Sequence, residues 1–205
     1  MIGALIGRDI RRGFGGGAWL PVAFFLLIAA LLPFAIGPDA RLLSRIGPGA
    51  LWIAALTAGL LPVERLVEPD RADGVLDQLF LHGMAEESIA LAKIVAHWIS
   101  FAPLLLITAI PASVLLSMDG NSLARTELAL FVGTPGLASL ALAIGAVTAG
   151  LPRAGSLAGL LLFPLAVPLL IFGAAGALPL EAAVSLLITA GAPFVAGAAI
   201  RASRI

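Results

Sequence analysis

Residues 154–180 read AGSLAGLLLFPLAVPLLIFGAAGALPL, a run of 27 positions without a charged side chain. A helix rises about 1.5 Å per residue and the hydrocarbon core of a bilayer is about 30 Å thick, so about 20 apolar residues cross it. Five other charge-free stretches have similar length: 13–38, 46–63, 94–118, 128–152 and 182–200. With 60% hydrophobic residues, 12% charged residues and a mean hydropathy of +1.10, the 205-residue chain lies outside the range of soluble domains. The expected fold is an all-α integral membrane protein with six transmembrane helices, forming one domain over 1–205. Many of the 23 glycines and 14 prolines fall inside the apolar stretches, which membrane helices tolerate when neighbours cover the freed backbone groups.

The composition also excludes functions. Net charge is zero, so no strong attraction to nucleic acid or to acidic lipid is implied. The absence of cysteine rules out disulfides, thiolate metal sites, iron–sulfur clusters and covalent haem attachment by this chain. Arg8, Arg11 and Arg12 before the first stretch superficially resemble the start of a signal peptide. At 26 residues the stretch is too long for an h-region and five more follow, so it is read as a retained first helix.

The positive-inside rule orients the helices by the Lys and Arg of short loops. With the N-terminus inside, the inner segments carry nine (Arg8, Arg11, Arg12, Arg65, Arg71, Lys93, Arg153, Arg201 and Arg204). The outer loops, taken as 37–45, 119–127 and about 177–181, carry Arg41, Arg45 and Arg125. Both termini are therefore expected in the cytoplasm. The inner loop 64–93 is the only long polar stretch, with ten charged residues of which seven are acids.

Within that loop, Pro69 and Gly74 on one side and Gly83 on the other are read as breaks. Between them Val75, Leu76, Leu79 and Phe80 form one apolar face of a short helix, and Asp73 and Asp77 sit at its N-terminal end, where carboxylates suit the helix dipole. Two turns are unstable alone, so this face needs a groove. A partner-docking helix over 73–82 is favoured over an interfacial helix, because the acidic surroundings are repelled by the inner leaflet. Residues 1–17 read differently. Ile2, Leu5, Ile6 and Ile10 oppose Arg8, Arg11 and Arg12, which suits an amphipathic helix on the inner leaflet before Gly13–Gly17 bends the chain inward.

No chemistry is legible. Lys93, the only lysine, is followed by Ile94, so there is no GxxxxGK[ST] phosphate loop, and neither HExxH nor a Ser–His–Asp grouping occurs. No catalytic or metal residues are assigned, and any nucleotide hydrolysis is expected in another chain.

An N-terminal amphipathic helix, six spans and a docking helix between spans two and three resemble the permease subunit of an ABC-2-type exporter. The stretches FAIGPDARLLSRIGPGALWIAALTAGLLPVERL (34–66), DGVLDQLFL (73–81), LAKIVAHW (91–98), FVGTPGLASLALAIGAVTAGLPRAGSL (131–157) and LLFPLAVPLLIFGA (161–174) look like the haem exporter protein B (CcmB) family. The run 34–66 and the Gly133–Thr134–Pro135 turn are the most distinctive parts. The resemblance implies a permease subunit in the bacterial inner membrane serving c-type cytochrome biogenesis. It implies a CcmA-type ATPase partner that binds ATP, CcmC- and CcmD-type membrane proteins, a periplasmic haem chaperone acting indirectly, and haem as cargo. Two ATPase subunits would need two docking helices, hence two copies of this chain. Two alternatives stay open: a non-transporting scaffold that couples hydrolysis to release of the loaded chaperone, and an exporter of another substrate.

Single residues add less. His97, beside Trp98 in the third span, is a candidate haem contact, but a structural hydrogen bond is the favoured role. Glu64 and Arg65 either orient the docking helix, pair with each other, or end the second span as solvated charges. Arg153 is expected to hold its turn inside. Ala141, Gly145 and Ala149, then Gly155 and Gly159, have the four-residue spacing that lets helices approach closely.

Overall fold

The computed structural model describes residues 1–15 and 19–203. Nine helices are present among them. An amphipathic α1 (Ile2–Gly15) precedes α2 (Trp19–Ile36) and α3 (Ala40–Leu60). Two short helices follow, α4 (Val63–Ala72) and α5 (Val75–Leu81), and then α6 (Glu86–Leu115), α7 (Gly120–Thr148), α8 (Ala154–Ala174) and α9 (Leu178–Ala202). Six are long and apolar enough to cross a membrane: α2, α3 with its continuation into α4, α6, α7, α8 and α9. Part of the expected Gly13–Gly17 bend, Gly16 and Gly17, and the cation Arg204 lie outside the described residues.

The helices overrun the charges that were read as their limits. Asp39 caps α3, its side chain accepting from the N–H groups of Arg41 and Leu42, so Arg41 and Arg45 are helical. Asp119 caps α7 by accepting from the Ser122 N–H at 2.7 Å, which makes Arg125 helical as well. Charges mark where hydrocarbon ends, while caps and helix-forming side chains decide where the helix ends. For the same reason 64–93 is mostly helix: it holds nearly all of α4, the whole of α5 and the first two turns of α6.

Two punctuation readings are corrected. Pro69 lies inside α4, and the break falls at Gly74, whose φ of 68° is the left-handed conformation that glycine adopts without strain. Gly133–Thr134–Pro135 is no turn; α7 runs through it. Proline leaves the carbonyl four residues earlier without its donor, and the Thr134 hydroxyl leans on that Phe131 carbonyl at 3.4 Å.

Buried α7 is the central helix, packed against α3, α4, α6, α8 and α9. One core surrounds the fully buried Trp52 with Phe25, Leu51, Leu105, Leu130 and Leu169. A second core gathers Leu5, Val67, Leu76, Ile89, Leu142 and Ile200 from six helices at the end of the bundle that holds α1 and the last turns of α9, called the near end below. Close approach rests on small residues, as their spacing suggested. A Cβ at Gly145 would stand 2.7 Å from the Val63 carbonyl oxygen of α4, and one at Gly155 would meet the Glu64 carboxylate. Phe34, Val114, Leu186 and Leu187 point outward, as lipid contact requires.

Candidate functional site

The near end is built by α1, α4, α5 and the start of α6. Helix α5 spans Val75–Leu81, and its N-terminal boundary differs from the reading: Asp73 closes α4, its N–H donating to the Pro69 carbonyl, and Gly74 is the cap of α5. Asp77 lies in the first turn of α5, and the exposed His82 closes the last, its Nδ1 2.7 Å from the Gln78 carbonyl oxygen. The apolar face divides in two. Leu76 is buried in the second core with Leu79 packed beside it, whereas Phe80 is 43% and Leu81 81% exposed. The groove that an isolated two-turn helix needs is thus partly supplied by this chain, and the outward apolar surface is shifted to Phe80 and Leu81.

Helix α1 does more than lie on a surface. Leu5 is buried in the second core, and three charged side chains of α1 join a cluster with α4 and α6. Asp70, nearly fully buried, accepts from Arg8, from Arg12 at 2.7 Å and from Lys93 at 2.5 Å. The Lys93 ammonium donates to Asp70, to Asp9 at 3.1 Å and to the Leu66 carbonyl at 3.1 Å, so its three N–H groups are all satisfied. Burial opposes the charge on Arg8, but hydrogen bonding and attraction from Asp9, then Asp70, outweigh it and hold its pKa above the ordinary value. The sequence carried a signal for this cluster that composition reading passed over. Asp9 is the only acid among the first 38 residues and Lys93 the only lysine, each needing an opposite charge once buried.

His97 and Trp98 are one turn further along α6. His97 is buried and stacks on Phe101 with ring centroids 5.6 Å apart, and its Nε2 has no hydrogen-bond partner among the described residues. Trp98 donates from Nε1 to the Thr134 hydroxyl at 3.1 Å, tying α6 to α7. A cavity of about 350 Å³ opens between the charge cluster and His97, lined also by Arg65, Pro62 and Phe101. Two further ties fix the near end: Glu68 receives Arg71 and the Gly150 N–H, and Arg201 of α9 reaches Glu87 at 2.9 Å. Glu64 of the second span rests over Gly155 of α8.

At the opposite end a second cavity of about 560 Å³ is lined by Asp119, Arg125, Thr126 and Gly173. Beneath it Trp52 and Glu181 press on Gly133, and the fully buried Glu181 carboxylate has no hydrogen-bond partner among the described residues. In sequence Glu181 served only to separate two apolar stretches. No group of three or more His, Cys, Asp or Glu able to hold a metal exists among the described residues.

Six membrane helices, a charged near end and a short helix with an outward apolar edge define a polytopic membrane subunit of the permease class. The sequence profile of the CcmB protein family matches residues 1–203. The chain is 42% identical over 196 residues to the heme exporter protein B of Bradyrhizobium diazoefficiens, covering 94% of this chain and 86% of that protein. It is 41% identical to the protein of that name from Paracoccus denitrificans, over 97% of both chains, and 40% identical to that of Escherichia coli, over 95% of both. The chain belongs to the CcmB family.

Proposed function

We propose that this chain is the membrane permease subunit of an ATP-driven complex that delivers haem to the periplasm for c-type cytochrome biogenesis. Its relatives bear the name heme exporter protein B, and the matches extend over nearly the whole chain. On this reading the protein sits in the bacterial inner membrane with both termini in the cytoplasm. A CcmA-type ATPase binds and hydrolyses ATP, CcmC- and CcmD-type proteins complete the assembly, and two copies of this chain receive two ATPase subunits. Haem is the cargo and the chaperone is met only indirectly.

The observation that carries the mechanism is the division of α5. Phe80 and Leu81 are offered outward while Leu76, on the same two turns, is locked among α1, α4, α6, α7 and α9. An apolar helix edge laid in a partner's groove is a recurrent docking mode. Force applied at Phe80 and Leu81 would pass through Leu76 to the spanning helices without needing α5 to move alone. The site is therefore assigned to Gly74, Val75, Leu76, Asp77, Leu79 and Phe80, with Asp73 bounding it and Leu81 added.

A second reading draws on the cavities. They lie at opposite ends of the bundle, and Leu51, Trp52, Ala54 and Ala55 of α3 are buried in the core between. That packing suits a subunit that transmits ATPase motion to a haem-loaded partner without passing haem through one copy.

The test is a deletion strain carrying either the wild-type gene or the Phe80→Asp, Leu81→Asp double variant. The expected result is loss of covalently attached haem from all c-type cytochromes in the deletion strain, with b-type haem retained, and restoration by wild type. The double variant should insert normally, restore nothing and lose about tenfold or more of the co-purifying ATPase. Normal c-type haem in the deletion strain overturns the function, and undiminished co-purification overturns the docking assignment.

A further inference from the structure

The near-end cavity sits where the basic amphipathic helix meets the spans, and its lining is chemically two-sided. On one side Arg12, Arg65 and Lys93 border it beside Asp9 and Asp70; on the other lie Pro21, Ala96 and Phe101. We propose that this cavity binds the phosphodiester headgroup of an acidic phospholipid, with the acyl chains left in the adjoining leaflet. The proposal is independent of what the complex carries.

Charge is the first argument. Arg8, Arg12 and Lys93 surround the two carboxylates Asp9 and Asp70, which leaves one positive charge over. The carboxylates are saturated by these cations and offer little to a cationic ligand. The Arg12 fork commits Nη1 to Asp70 while its side chain stays 54% exposed, leaving donors for an oxyanion. Basic pockets between helices at the cytoplasmic surface are a recurrent form of acidic-headgroup recognition.

The second argument is size: about 350 Å³ is at the small end of ligand pockets and suits a glycerophosphate headgroup.

The experiment uses the full chain reconstituted in bilayer discs holding equal amounts of phosphatidylglycerol and phosphatidylcholine, with native mass spectrometry counting the lipids retained on release. About tenfold preferential retention of phosphatidylglycerol is expected, weakening at high salt. Arg12→Gln should reduce the preference several-fold. Leu66→Phe, which adds bulk at a half-buried lining position and leaves every charge in place, should abolish it while tryptophan emission still reports a cooperative unfolding transition. Equal retention of the two lipids overturns the proposal, as does a preference that survives both substitutions. Added haem giving a Soret shift that His97→Leu removes, with no lipid preference, overturns it in favour of haem as the occupant.

Discussion

Asp70 accepts from cations on two other helices, Arg8 and Arg12 of α1 and Lys93 of α6, and so decides whether α1 stays attached. Removing one partner of a buried ion pair leaves the other charge uncompensated at a cost of about 3–5 kcal/mol, whereas replacing both with neutral groups costs far less. Asp70→Asn should accordingly lower the unfolding midpoint of the detergent-purified protein by several degrees, and Asp70→Asn with Lys93→Met should recover most of the loss. Tryptophan emission is the suitable readout, since the chain has three tryptophans and no cysteine for thiol-reactive dyes. A double variant as unstable as the single one would show that the pair does not act as a unit. This cluster was the least legible part of the site in sequence. Asp9, Asp70 and Lys93 are separated by 61 and 23 positions, and only packing brings them together. His97 was legible as a buried polar side chain, but its orphaned Nε2 was not, because that depends on what other helices fail to place beside it.

At the scale of elements, the bundle depends on where two backbones nearly touch. Gly145 of α7 lies against the Val63 carbonyl at the start of α4, a backbone neighbour that no rotamer change can move aside. Gly145→Leu must push α4 outward, and with it the anchorage of α5. Gly191 of α9 has nothing within 4 Å of its Cβ position, so Gly191→Ala should be neutral or slightly stabilising through helix propensity. Limited proteolysis should cut the Gly145→Leu protein within 73–85 well before wild type or Gly191→Ala; equal resistance of all three would mean that α4 accommodates the change. The four-residue spacing of small residues marks Gly145 as a place of close approach without naming its partner, and Val75, Leu76, Leu79 and Phe80 mark α5. The sequence pattern could not divide that apolar face between an inward Leu76 and an outward Phe80, because the division is made by Leu5, Met84 and Ile200 arriving from elsewhere in the chain. Nor could it tell that α7 runs through Pro135, where a side-chain hydroxyl stands in for the missing donor.

At the scale of the whole molecule the charge cluster bears on orientation. Arg8, Arg12 and Lys93 are compensated inside the cluster by Asp9 and Asp70. Orientation follows the count of Lys and Arg near the spans and is little affected by nearby acids, so the eight near-end cations among the described residues all count against three. Even with the three clustered ones set aside, five remain, and the sign of the bias is unchanged. The near end, with α1, α5 and the last turns of α9, should therefore face the cytoplasm. The absence of native cysteines permits a direct test with single cysteines at two exposed positions on opposite ends, His82→Cys after α5 and Asn121→Cys at the start of α7. A membrane-impermeant maleimide applied to spheroplasts should label Asn121→Cys at once and His82→Cys only after permeabilisation. The reverse pattern would put α5 on the side that has no ATP, and the docking role of Phe80 and Leu81 would fail with it.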